Sequence, residues 1–425
     1  MSHALYSTVL RLGLLGYLPV AVARHARGTG HPPNVASRLW RAGEALPPAP
    51  RCWVHAVSVG EALTAAPLVD GLRARWPALA IVMTTVTPTG ASVVGQRLGD
   101  RVTHRYFPLD LPRPVARALD AVRPRFFIAM ETELWPNFLR ALAQRGVPAM
   151  VANGRISDRS FRRYQRVRPF MRRVLRAIAV FAMQSEEDAR RIVDLGAPPA
   201  RVVVTGSLKS DVPPPAPGAA ERWAKVLGLE PGEALWVAGS THRGEESPVL
   251  DAYLRARAAH PRLVLLMAPR HPERVEEVEA LVAARGLAPI RRPALAGARP
   301  DNGVVVLDTV GELADLYGAA ALAFVGGSLV NTGGHNMLEP AVRGRPVLFG
   351  PHTSNFRESA QLLLDAGGAL RVADGGGLAE AVGALAADPA RRAAMGEAGA
   401  RAVAARRGAL EATLALVQAH LAPDA

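Results

Sequence analysis

From residue 50 onward, short apolar runs rich in β-branched residues alternate with stretches whose apolar positions recur at helical spacing. In the first half the runs are Trp53–Val59, Ile81–Thr87, Phe126–Met130, Ala149–Ala152, Ile178–Met183 and Val202–Thr205. In the second half they are Leu235–Ala238, Leu263–Ala268, Val304–Leu307, Ala321–Val325 and Pro346–Phe349. Alternation of this kind predicts parallel strands joined by crossover helices, and the scarcity of charge inside many runs predicts strands covered on both faces. Between the two sets lies Val212-Pro213-Pro214-Pro215-Ala216-Pro217-Gly218, where four prolines and a glycine forbid a regular element. The pattern predicts an α/β chain of two Rossmann-like, doubly wound domains, 28–211 and 219–402, joined by the linker 212–218. Facing one another, two such domains make a cleft, with ligands at the C-terminal ends of the strands. Residues 403–425 read as a closing helix that could pack back on the first domain.

The start of the chain follows a different rule. From Ala4 to Ala23 it is almost wholly apolar, with Arg11 interrupting it, Pro19 inside it and Arg24 and Arg27 closing it. The uninterrupted part, Leu12–Ala23, is shorter than the roughly 20 residues a membrane span requires. Residues 1–27 are therefore expected to form a membrane-associating helix, lying in the interface or dipping through one leaflet as a peripheral element or a single N-terminal anchor, with Arg11 snorkelling and Tyr6 and Tyr17 at interface depth. A signal peptide cleaved after Ala21-Val22-Ala23 competes, but only one Arg precedes the apolar stretch.

Composition narrows the class. Over 425 residues, 49% hydrophobic and 21% charged excludes a disordered, collagen-like or coiled-coil chain. The single Cys52 cannot form an internal disulfide, which fits a reducing compartment. Of the net charge of +14, residues through Lys209 carry +17 and the remainder −3. Such one-sided basicity points to a polyanionic partner. Arg155, Arg159, Arg162, Arg163, Arg166, Arg168, Arg172, Arg173 and Arg176 oppose only Asp158, with Phe161, Tyr164 and Phe170 interleaved. No helix-turn-helix, zinc-finger or RNP motif accompanies this stripe, so an anionic membrane surface is the better partner and nucleic acid is not expected.

Candidate chemistry gathers where strands should end. The first strand leads through Ser58-Val59-Gly60-Glu61 into a helix, placing Glu61 near a helix N-terminus where it could take a proton from an attacking hydroxyl. Thr85, Thr87, Glu131, Glu133 and Arg155 are further polar groups on the same rim. Glu131 and Glu133, two residues apart, would point opposite ways on an extended strand, arguing against an acid/base pair. In the second domain, Ser240 and His242, then Arg270 and His271, then Gly327 and Ser328 fall at successive strand ends, followed by Gly333-Gly334-His335-Asn336-Met337-Leu338-Glu339. Backbone N–H groups and guanidinium there can hold a phosphate, glycines admit a ligand close to the backbone, and Glu339 could accept from ribose hydroxyls. No Walker A, G-x-G-x-x-G or D-x-D sequence is present, and neither a metal nor a cofactor is expected.

Taken in order, His55–Glu61, Thr84–Gly90, Glu131–Pro136, Gln184-Ser185-Glu186, Thr205–Lys209, Gly239–Glu246, Pro269–Arg274 and Gly333–Pro340 resemble the bacterial 3-deoxy-D-manno-octulosonic acid (Kdo) transferases. The resemblance implies a GT-B architecture, CMP-Kdo as donor, a lipid A precursor as acceptor, and inverting transfer at the cytoplasmic face of the bacterial inner membrane. It implies Glu61 as general base, and Ser240, His242, Arg270, His271, Gly327, Ser328, Asn336 and Glu339 as donor-binding residues, with Lys209 a further candidate for a phosphate or carboxylate. Met337, Ser207 and Gly154 depart from the family pattern. The rival readings are another GT-B enzyme, such as a UDP-sugar transferase or an epimerase, and a non-catalytic protein that binds anionic membranes.

Overall fold

The computed structural model describes residues 2–26, 34–41, 46, 48, 50–212, 215–292, 295, 299–309 and 311–421, with backbone alone over 17–26. Arg27, Pro213, Pro214 and the side chains of Tyr17, Pro19, Ala21–Ala23 and Arg24 lie outside the described residues. The chain divides into two compact units, Met1–Asp211 with Gly408–Ala425, and Val212–Arg407.

The first unit is built on β1 (Arg51–His55), β2 (Ala80–Thr85), β3 (Thr103–Tyr106), β4 (Phe126–Met130), β5 (Ala149–Gly154), β6 (Val180–Met183) and β7 (Val202–Val204). Its strands are parallel in the order β3-β2-β1-β4-β5-β6-β7. Side chains alternate across a strand, so Cys52, Val54, Ile81, Phe126 and Ile128 enter one core while Trp53, Val82, Phe127 and Ala129 enter the other. Burial on both faces is what requires these runs to be apolar throughout. The second unit repeats the plan with β8 (Ala234–Thr241), β9 (Leu263–Pro269), β10 (Ala288–Arg291), β11 (Gly303–Val306), β12 (Leu322–Val325), β13 (Val347–Phe349) and β14 (Ala369–Arg371). Their order is β10-β11-β9-β8-β12-β13-β14, again all parallel. The order turns back between β1 and β4 in one unit and between β8 and β12 in the other. Doubly wound sheets open a crevice at that point, beyond the strands' C-terminal ends.

Three strands, β3, β10 and β14, have no counterpart among the apolar runs. All three are sheet edges. Thr103–Tyr106 and Ala288–Arg291 are half-buried throughout, so they lack the apolar signature of a central strand.

The second unit ends with the helix Pro389–Ala404, and the chain then returns to the first unit, where Ala409–His420 forms a helix. This helix adds Ala409, Leu414 and Val417 to the core of the Val59–Arg75 helix. A Cβ on Gly71 would lie 2.7 Å from Leu414 Cδ1, and Arg75 pairs with Glu411 at 2.9 Å. Asp211 accepts from the Gly408 amide (2.6 Å) and the Leu410 amide, tying together the two points at which the chain leaves and re-enters.

The first helix spans His3–Ala26. Its inner face docks through His3 and Tyr6 against Phe170 and through Ser7, whose Oγ accepts from Asn137 Nδ2 at 2.9 Å. On the opposite face Leu5, Val9, Leu12 and Leu15 are 52–72% exposed. Among the described residues no helix is long and apolar enough to cross a membrane.

Candidate active site

The crevice of the first unit is lined from β1 and β4. After β1 the chain turns at Ser58 into the Val59–Arg75 helix, putting Glu61 in its first turn. Glu61 Oε2 accepts from the Val57 amide (2.7 Å) and Oε1 from Ser58 Oγ (2.9 Å). The carboxylate is thus a capping group, yet each oxygen retains a lone pair for another partner. It is only 8% exposed. Burial raises its pKa, Glu131 raises it further, and the Val57 amide, Ser58 hydroxyl and Lys209 charge pull it down. A carboxylate whose pKa is raised towards the working pH is the better proton acceptor.

The β4 end supplies Glu131 and Glu133. Glu131 has φ +54°, so the chain has left the extended conformation on which the two carboxylates were expected to point apart. Burial, then the charges of Glu61 and Glu131, push Glu133 up to about 7. Three carboxylates therefore sense one another around the switch point. Lys209 Nζ lies 3.4 Å from Glu131 Oε1, which makes this lysine part of the first unit's cluster. It is positioned by Asn153, buried with φ +56°, whose Oδ1 accepts from the Leu208 amide at 2.9 Å. Sequence reasoning missed Asn153; an Asn-Gly pair at a strand end was the available signal.

Other rim residues are committed to the fold. Thr85 is fully buried, its hydroxyl 2.9 Å from His104 Nε2. Thr87 caps the helix Pro88–Leu98 by accepting from the Gly90 amide at 3.1 Å. The Thr85 hydroxyl also lies 3.4 Å from Thr87 O, and the Thr87 hydroxyl donates to Val57 O at 3.3 Å. Arg155 is exposed, and its amide donates to Thr132 Oγ1 at 3.0 Å. Trp135 packs on Phe107 and His55, as a core residue does.

In the second unit, β8 bulges at Ser240, which has φ +56° and interrupts the register with β9. The bulge delivers His242 to a contact with His335, Nε2 to Nε2 at 2.8 Å, with the rings 8° from parallel. Burial, then the charges of His242, Arg270 and His271, hold His335 down to about 4, and burial also lowers His242. A contact of this length between two imidazole nitrogens requires one Nε2 to donate and the other to accept. His271 stands edge-on to His242 at 5.6 Å, and Arg270 and His271 are exposed on the rim after β9. Asn336 links to Glu339 (Nδ2 to Oε1, 3.2 Å) and accepts from the Leu338 amide (3.2 Å).

Gly327 and Ser328 behave otherwise than the sequence suggests. The amides of both donate to Glu245, and Ser328, with no exposed surface, donates from Oγ to Val325 O and accepts there from the Gly350 amide. A Cβ on Gly327 would meet Thr332 Oγ1 at 2.7 Å and the His335 ring at 3.0 Å, so this glycine admits protein rather than ligand. The loop after β11, where Thr309 donates to Glu312 and Arg292 pairs with Glu312 at 2.7 Å, lies beside the β9 rim and was also missed. Among the described residues no three His, Cys, Asp or Glu side chains group as metal ligands.

Comparison with known proteins gives this arrangement its context. The family profile "3-Deoxy-D-manno-octulosonic-acid transferase (kdotransferase)" matches residues 33–212. A 3-deoxy-D-manno-octulosonic acid transferase of Haemophilus influenzae is 37% identical over 418 residues, covering 97% of this chain and 96% of the relative. Among solved structures, a UDP-GlcNAc 2-epimerase from Neisseria meningitidis bound to UDP-GlcNAc aligns over 87% of this chain and all of that one, with TM-score 0.54 and 10% identity. A glycosyltransferase from Rickettsia africae aligns over 87% of this chain and 98% of that one, with TM-score 0.52 and 10% identity. At such identity the structures establish the fold alone: two parallel-sheet α/β domains resembling GT-B glycosyltransferases. The Haemophilus similarity is of another kind, since it runs the length of both units, and it makes this chain a member of the Kdo transferase family, an enzyme that transfers Kdo and so a glycosyltransferase.

Proposed function

We propose that the enzyme moves Kdo from CMP-Kdo to a hydroxyl of a lipid A precursor with inversion, Glu61 serving as general base. The observation that carries this reading is the setting of Glu61: at the switch point, oriented by the Val57 amide and Ser58 hydroxyl, and raised in pKa by burial. Glu61 takes the proton of the acceptor hydroxyl as its oxygen bonds to the anomeric carbon of Kdo. The bond from that carbon to the phosphate oxygen breaks on the opposite face, and CMP leaves with the electron pair. Lys209 helps keep Glu61 ionised, while Glu131, Glu133 and Arg155 border the acceptor. CMP carries a single phosphate, so backbone N–H groups and a cation such as Arg270, with His271 beside it on the rim, can meet its charge without a metal or cofactor.

The acceptor is a lipid, and the reading places the enzyme peripherally at the cytoplasmic face of the inner membrane, with no nucleic acid partner. Support comes from the exposed stripe Leu5, Val9, Leu12 and Leu15, whose helix packs on Phe170. Phe170 belongs to the helix Arg168–Leu175, whose exposed Arg172 and Arg173 suit anionic headgroups.

The deciding experiment is mass spectrometry of a tetraacylated lipid A precursor after incubation with the enzyme, CTP, Kdo and a CMP-Kdo synthetase. A gain of one or more Kdo masses, absent when CTP is omitted, is expected. A folded enzyme that adds no Kdo to this lipid would refute the acceptor and donor together, and replacing CMP-Kdo by UDP-sugars would then identify another donor.

A further inference from the structure

Glu245 is fully buried, and its carboxylate is shared by two loops. Oε1 accepts from the amides of Ser328 (2.9 Å) and Leu329 (2.8 Å), while Oε2 accepts from those of Gly327 (2.7 Å) and His242 (2.9 Å). One loop follows β8 and the other follows β12, the strands between which the sheet order turns back. At that crevice a doubly wound sheet ordinarily offers backbone amides to an anionic ligand. Here the protein answers those amides with its own anion.

The surrounding residues fit the same lock. A Cβ on Gly326 would lie 2.8 Å from Glu245 Oε2 and 2.5 Å from Ser240 O, so only glycine lets the β12 loop close on the carboxylate. The Gly334 amide donates to Gly327 O at 2.7 Å, carrying the fixed loop on to His335. The 2.8 Å contact of His242 with His335 therefore joins the two loops that Glu245 ties together.

We propose that Glu245 is a positioning residue for the donor: a built-in anion that locks the β8 and β12 loops in register, so that the donor phosphate meets the rim of Arg270 and His271 and not the amides at the crevice. This rests on the reading of the second unit as the CMP-Kdo site.

Glu245→Gln in the full-length enzyme tests it. Glutamine has the same shape, but its –NH2 would face two amide N–H groups, and a donor cannot satisfy a donor, so two of the four amides lose their acceptor and the lock loosens. The folded variant is expected to bind CMP at least tenfold more weakly, by calorimetry, and to show a matching rise in KM for CMP-Kdo. Its kcat and its KM for the lipid should stay within twofold, a split that general destabilisation does not produce. A folded Glu245→Gln with wild-type CMP affinity and donor KM would overturn the proposal. Should that variant not fold, Glu245→Asp, a carboxylate one methylene short, decides in the same way by the same two quantities. If the wild type itself fails to bind CMP, the donor reading is at fault. The lock is then judged by the Nε2 signals of His242 and His335 in 15N-edited NMR of the ligand-free protein, which must change in Glu245→Gln for it to survive.

Discussion

Replacing Glu61 by glutamine separates basicity from every other property of this side chain. The amide can keep both hydrogen bonds: its oxygen accepts from the Val57 amide, and its –NH2 donates to Ser58 Oγ once that hydroxyl has turned. Burying a neutral group also removes the cost that raises the Glu61 pKa. Losing both hydrogen bonds would cost about 2 kcal/mol and lower the melting temperature by several degrees; the expectation is no loss. Removing a general base costs about 10²–10⁴ in rate, equivalent to about 3–5.5 kcal/mol of barrier. The assay is initial-rate Kdo transfer with both substrates varied, alongside thermal melting. A fall in kcat of that size, with both KM values within about threefold and an unchanged melting temperature, is the predicted result. The acid limb of the wild-type pH profile should lie above the ordinary carboxylate range and vanish in Glu61→Gln. Lys209→Met should move it to higher pH, because the lysine charge favours the ionised form. Activity above about a tenth of wild type in a well-folded Glu61→Gln would place the base elsewhere and refute the reasoning.

Other expectations follow from single features. Changing Leu5, Val9, Leu12 and Leu15 to Gln removes an exposed apolar stripe without touching the docked face, so co-sedimentation with anionic vesicles should fall about tenfold or more at unchanged melting temperature; unaltered sedimentation would remove the stripe from membrane binding. His55 is fully buried and held down to about 3 by burial, so the unfolded chain binds its proton first as pH falls below 6.5. Its contribution to stability is lost at about 1.4 kcal/mol per pH unit from there towards 3, and the stability gap between wild type and His55→Gln should narrow on acidification. A gap independent of pH in chemical denaturation would show that folding leaves the His55 pKa unchanged and refute the shift. Gly396 lies in the helix Pro389–Ala404, where a Cβ would sit 1.9 Å from Gly344 O, a backbone atom that cannot swing aside. Gly396→Ala should therefore destabilise the second unit by more than the roughly 1 kcal/mol that helix propensity returns, as read by urea unfolding.

Legibility tracked the environment of each residue. Phe126–Met130 appears in the sequence with the bounds it has in the sheet, because a central strand buried on both faces must be apolar at every position. The edge strand Thr103–Tyr106, pressed by neighbours on fewer sides, carries no such mark. Glu61 was visible as a carboxylate at a strand-to-helix turn, since that turn is local. Glu131 and Glu133 were expected on the same rim, but the mutual influence of the three carboxylates was not legible, because it depends on a left-handed residue at 131 and on β4 lying beside β1. Gly327 and Ser328 looked like ligand residues by the same local rule, and what that rule could not show is that Glu245, 82 residues away in sequence, accepts from the Gly327 amide.

By itself, then, the sequence determined the alternation of strand and helix, the proline-rich break, the one-sided charge, and an ordered set of motifs specific enough to name a family. These rest on periodicity and chain stiffness, which act over a few residues. The tertiary structure alone decided which strand ends share a crevice, which amides remain for a ligand, and which carboxylates hear one another. Sheet order brings together segments that no local interaction links, and burial there changes both the pKa of a group and the number of partners it must find.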